Sequence, residues 1–208
     1  MNPRVLVVAC GALASELRSV LAANSMLALV DVRYLPANLH NRPDRIVPAI
    51  EALLAAEGIT PQEPRPVMLG YADCGSGGML DAFIAEHPHV SRLPGSHCYE
   101  FFAGSELFAE LHEAELGTFF LTDFLAKHFD ALVWQGLGID RHPELRDAYF
   151  GNYTRVLLIS QATSDSVLQS GRAAAERLSL RFEHRHVGLT PFAAAVTDAV
   201  RVTVGRAA

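Results

Sequence analysis

The chain has 208 residues, 50% of them hydrophobic, and a formal net charge of −6. That length supports a sizeable core without a covalent staple, so its odd number of cysteines, three, points away from a disulfide framework and towards reduced thiols. An acidic balance with no basic tract argues against a nucleic-acid partner. No apolar run approaches the ~20 residues of a membrane span, and Met1-Asn2-Pro3-Arg4 lacks the length and cleavage site of a signal peptide. A cytoplasmic protein with no membrane partner is expected.

Val5 to Ala9 is a continuous apolar run, the pattern of a strand buried on both faces of a parallel sheet. Gly11 opens a helix predicted over Ala12–Ala23, and Met26–Leu35 reads as a second strand ended by Pro36. Asn41-Arg42-Pro43 starts a helix that buries Ile46, Ile50, Leu53 and Leu54, with Gly58-Ile59-Thr60-Pro61 closing it. Val67–Tyr71 is a third strand, followed by Asp73-Cys74-Gly75-Ser76-Gly77-Gly78 and a helix over Met79–Glu86. Leu93–His97 reads as a strand end or a loop. Helices are predicted over Glu100–Glu115 and Thr118–Phe129. Arg155–Ser160 is a buried strand, Asp165–Leu178 a helix, Leu180–His186 a strand, and Pro191–Ala199 a closing helix begun at Thr190. Strands alternating with helices predict a single α/β domain over residues 1–208, an open and mostly parallel sheet with helices on both faces.

The three cysteines occupy equivalent positions. Cys10 follows the first strand in Ala9-Cys10-Gly11-Ala12-Leu13, Cys74 follows the third, and Cys98 precedes a helix in Tyr99-Glu100-Phe101-Phe102-Ala103-Gly104. Ligands of open α/β sheets sit outside the carboxyl ends of the strands, where such loops gather. A helix N-terminus also favours the thiolate, the form that binds metal. A single cysteine of this kind is more often a small buried hydrophobe, but three at strand-to-helix junctions point to one metal site.

Three thiolates leave one position open. That suits a four-iron four-sulfur cluster (4Fe-4S) with one free iron, or a catalytic zinc. The cluster is preferred, because no pair shows the C-x-x-C spacing of structural zinc. His40, in Leu39-His40-Asn41-Arg42-Pro43, is a candidate fourth ligand or proton-transfer group, with a plain loop histidine as the alternative. Glu100 is a candidate acid or base beside Cys98, although a solvated first-turn glutamate is the commoner outcome. Gly75 and Ser76 form a glycine-rich loop able to cradle an anion, but the loop matches no nucleotide-binding fingerprint. Arg141 and Arg146, in the charged stretch from Asp140 to Asp147, are candidate anchors for a substrate carboxylate.

The segments around Cys10, Leu35–Pro43, Tyr71–Gly75, His97–Gly104 and Gly151-Asn152-Tyr153 resemble an uncharacterised family, domain of unknown function 1638, over nearly the whole chain. The resemblance supplies no reaction. It implies company with corrinoid-dependent methyltransferases, and so a place in one-carbon or methylamine metabolism. The residues themselves indicate a metal-dependent lyase, hydrolase or group transferase acting on a small polar molecule. The alternatives are a non-catalytic metal- or corrinoid-binding accessory protein and a metal-free enzyme with a cysteine nucleophile.

Overall fold

The structure, a computed structural model, describes residues 4–60 and 62–205. The lead into the first strand, Met1–Pro3, and the helix-closing Pro61 lie outside the described residues. Two compact units divide the chain: one runs through Phe101 and takes in the stretch from Phe192 onward, and the other spans Phe102–Pro191.

In the first unit the strands are β1 (Val5–Cys10), β2 (Val30–Leu35), β3 (Val67–Gly70) and β4 (Val90–Arg92), and the helices are α1 (Ala14–Ala23), α2 (Ile46–Ala56) and α3 (Met79–Glu86). The strands form a parallel sheet in the order β2-β1-β3-β4. β1 is central, and Val5 to Ala9 are each 0% exposed, which is why that run has no polar alternation. α2 lays Ile46, Ile50 and Leu54, spaced four apart, into a core with Leu6, Val8, Leu69, Leu80 and Phe83. Consecutive strands run from β1 out to β2 and then back across β1 to β3. The winding therefore reverses between β1 and β3, and the crevice outside their carboxyl ends is the ligand position of such a sheet.

That reversal needs β1 and β3 to lie close. A Cβ on Gly70 would stand 2.6 Å from the Cβ of Ala9, its partner in the register, so no other residue fits without displacing a strand.

The chain continues through α4 (Cys98–Ala103). In the second unit, α5 (Ser105–Ala114), β5 (Thr118–Leu121), α6 (Asp123–Lys127), α7 (Leu145–Phe150), β6 (Arg155–Ser160), α8 (Asp165–Leu178) and β7 (Arg181–His186) follow, before α9 (Thr190–Gly205). Its sheet, β5-β6-β7, is again parallel. Arg155 is 5% exposed, and its guanidinium is held by Thr118 Oγ1 at 2.7 Å, Leu111 O at 2.8 Å and Glu183 at 2.7 Å. A buried charge needs such a set of partners.

The α/β class with parallel strands is as the sequence indicates, but the strands divide between two sheets rather than joining one. Several element boundaries also differ from expectation. Thr118–Leu121 is a strand, not the start of a helix, because Phe119 and Phe120 pair with Val156 and Leu157 of β6 and aromatic residues suit a pleated surface. The helix expected over Glu100–Glu115 breaks at Gly104, whose φ of 85° no helix accommodates. β2 begins only at Val30, after a turn over residues 27–29.

Candidate functional site at the carboxyl edge of the first sheet

Cys10 ends β1, and Cys74 lies in the loop leaving β3. One step beyond the last paired residues, Ala9 with Gly70, stand Cys10 and Tyr71. Three loops are packed together here. A Cβ on Gly11 would lie 3.0 Å from Leu35 O, so the turn after β1 rests on the exit of β2, and a Cβ on Gly75 would lie 3.7 Å from Pro43. The loop after β3 is also bonded to the loop before α4, with Asp73 N donating to Gly95 O at 3.1 Å and Cys74 N to Ser96 O at 2.9 Å.

All three cysteines carry free thiols and are half-buried, and Cys10 acts on Cys74 and both act on Cys98. Burial is the largest cause raising the Cys98 thiol well above its ordinary range, followed by Cys74 and then Cys10. Cys74 is pushed up to about 12, again by burial first, with Cys10 and Asp73 adding and the Cys98 amide opposing through a hydrogen bond. Burial also raises Cys10, against a hydrogen bond from the Ala12 amide. The expectation that helix starts would favour thiolates is thus corrected: desolvation outweighs the backbone donors. Among the described residues, no three His, Cys, Asp or Glu side chains already stand in an arrangement that could hold a metal ion.

The loop carrying Cys74 is shaped by Asp73. Its carboxylate accepts hydrogen bonds from Ser76 Oγ at 2.7 Å, Gly77 N at 3.2 Å and Gly78 N at 2.9 Å. Burial pushes this carboxyl up, but those bonds and the Arg92 charge outweigh it and leave it below the usual range. The grip lets Cys74 adopt a φ of 51°, a left-handed conformation uncommon outside glycine. The loop does not cradle an external anion through Ser76: its hydroxyl donates to Asp73, and the Gly77 and Gly78 amides are taken by the same carboxylate.

Glu100 accepts from Ser96 N at 2.9 Å and Ser96 Oγ at 3.3 Å, so it braces the segment that receives the Cys74 amide. His40 lies in the turn Ala37–Asn41. Burial lowers its pKa, with the charge of His97 adding, so the two imidazoles are neighbours. Arg141 and Arg146 belong to the second unit, where Arg141 stands 3.8 Å from Asp140 and Arg146 pairs with Asp147 at 2.7 Å and reaches Ser179.

Sequence reasoning missed two residues beside the thiols. Arg92 forms a bidentate pair with Asp81 at 2.7 and 3.0 Å and donates to Leu93 O and Gly95 O; its pKa is raised first by Asp81 and also by Cys74. With its donors so engaged it is a strut rather than an anion anchor. Tyr71 is 2% exposed, and its hydroxyl is without a hydrogen-bond partner of regular geometry among the described residues. Cys10 and Cys74 act on it, and its interaction with Cys10, which also lowers that thiol, falls outside regular hydrogen-bond geometry. A hydroxyl at the end of an apolar run, level with Cys10, was the available signal.

A second polar group went unrecognised at the carboxyl edge of the other sheet. Ser160 Oγ lies 2.8 Å from His184 Nε2 and 3.1 Å from His186 Nδ1. One hydroxyl proton serves only one of these nitrogens, so the other histidine must donate.

These features define an α/β protein with three half-buried cysteines near the edge where its first sheet reverses direction. The chain belongs to the family described as proteins of unknown function (DUF1638), whose model matches residues 34–196, a span that contains Cys74, Cys98 and His40 but not Cys10. No curated protein and no solved structure matches it. No helix among the described residues is long and apolar enough to cross a membrane.

Proposed function

We propose that Cys10, Cys74 and Cys98 together bind one metal centre with an open position, at which a small polar molecule is transformed. One observation supports this reading: three half-buried cysteines, at the end of β1, in the loop after β3 and at the start of α4, are all raised by burial, with Cys10 adding to Cys74 and both adding to Cys98. Such thiols are poor free nucleophiles, because the thiolate is the reactive form and this setting suppresses it. A metal changes the balance, since a bound cation displaces the thiol protons and supplies the missing countercharge. The Asp73 charge that acts on Cys74 works in the same direction, towards a cationic occupant.

Three protein sulfurs leave one site on a 4Fe-4S cluster or on zinc for a substrate. The cluster is the preferred occupant, given cysteines on separate loops. His40, held neutral by its surroundings, is the proposed proton-transfer group. Glu100 positions the Cys98 segment. A corrinoid-dependent methyltransferase system is the proposed setting.

The test is metal and sulfide analysis of anaerobically prepared protein. Iron and acid-labile sulfide in near-equal amounts are expected, with most of both lost in each of Cys10→Ser, Cys74→Ser and Cys98→Ser while the fold survives. Equal metal retention in all three variants overturns the shared site. One zinc per chain, lost in the same variants, overturns the cluster alone.

A further inference from the structure

Tyr71 is the one buried side chain of the described residues whose polar atom has no regular partner. A hydroxyl removed from water without a partner costs stability, and nothing in the packing obliges the chain to carry one here, because phenylalanine has the same shape. The hydroxyl is also not directed at random: the groups acting on it, after burial itself, are the Cys10 and Cys74 thiols. A neutral thiol is a weak acceptor, so Cys10 satisfies that donor poorly.

From this we infer that the Tyr71 hydroxyl is reserved for the occupant of the crevice, donating a hydrogen bond to an acceptor oxygen that the ligand presents at the fourth position. The inference rests on the three-thiol reading and adds a ligand class to it. Arg92, the guanidinium that Cys74 acts on, spends its donors on Asp81, Leu93 O and Gly95 O, so it offers the ligand no second, charged donor. A carbonyl, hydroxyl or single carboxylate oxygen, or a water molecule in its absence, meets one directed neutral donor. Tyr71 is therefore a ligand-positioning residue that sets which atom of the substrate faces the open position.

The experiment compares the full-length wild-type chain with Tyr71→Phe, each freed of metal and then titrated anaerobically with cobalt(II). Cobalt's ligand-field absorption reports what occupies its fourth position. Three results are expected. Metal-free Tyr71→Phe melts at the same temperature as wild type or higher, because an unsatisfied group has been removed. Both proteins take up one cobalt per chain, the variant roughly 10-fold more weakly. The absorption bands of bound cobalt differ between the two. A metal-free variant that melts lower overturns the inference, since the hydroxyl would then be satisfied within the fold. Indistinguishable cobalt affinity and spectra also overturn it. Failure of wild-type protein to bind cobalt at all overturns the three-thiol reading, and the inference falls with it.

Discussion

Replacing Asp73 by alanine isolates the device that shapes the Cys74 loop. Its carboxylate holds one hydroxyl and two backbone amides, and the residues it clamps include Cys74, Gly75, Gly77 and Gly78, all at positive φ. Hydrogen bonds to a charged acceptor contribute ~1.5–3 kcal/mol each when buried. Gly77 and Gly78 are exposed, so water replaces much of what is lost, and the whole clamp resembles a helix cap worth roughly 0.5–2 kcal/mol. For a chain of this size each kcal/mol moves the midpoint by about 2–4 °C, so metal-free Asp73→Ala is expected to melt about 1–8 °C lower by differential scanning calorimetry. Asp73→Asn, which keeps an acceptor oxygen, should recover more than half of that. Without the clamp Cys74 relaxes from its left-handed conformation, and metal affinity should drop by at least about tenfold, as for the loss of a supporting group around a metal ligand. An unchanged melting temperature together with unchanged metal affinity would refute the claim that Asp73 presents Cys74 to the site.

Three further outcomes are expected. Gly70→Ala places a methyl group 2.6 Å from the Ala9 Cβ, so strands β1 and β3 must part; destabilisation of about 1–3 kcal/mol should appear as a lower urea midpoint. His40→Ala should leave metal content intact and lower turnover by roughly 10²–10⁴-fold, whereas loss of metal on elemental analysis would make His40 a fourth ligand. Glu115 is held below the usual carboxylate range, first by a hydrogen bond from Thr154, against desolvation, and then by Arg181 and Arg155. A depressed carboxylate stabilises the fold above its unfolded pKa of about 4.3, and that contribution is lost as pH falls through the folded value. Urea midpoints measured from pH 6 downward should fall less steeply in Glu115→Gln than in wild type.

Much of this was legible in the residues, for physical reasons that also mark the limits. Val5–Ala9 announced a strand buried on both faces because no polar residue interrupts it. The equivalent placing of Cys10, Cys74 and Cys98 at element junctions pointed to one crevice, since parallel strands bring such junctions to one edge. The division into two sheets was hidden, because a buried run such as Arg155–Ser160 carries no mark of which strand it pairs with. Thr118–Phe129 read as one helix because its phenylalanines recur at helical spacing, and only pairing with β6 decides that the first four residues are extended. Raised rather than lowered thiols depend on how many atoms surround each sulfur, which spacing does not report. Tyr71 was read as the last residue of a strand, although its hydroxyl is acted on by Cys10 and Cys74.

X-ray absorption at the edge of the bound metal, measured on anaerobically loaded wild-type protein, tests the central claim most directly. The account predicts that protein thiolates supply three ligands, with metal–sulfur distances of about 2.3 Å, and that any one of the three cysteine-to-serine variants changes that shell. A first shell of nitrogen and oxygen atoms alone, or one unchanged when Cys10, Cys74 or Cys98 is replaced, would contradict it.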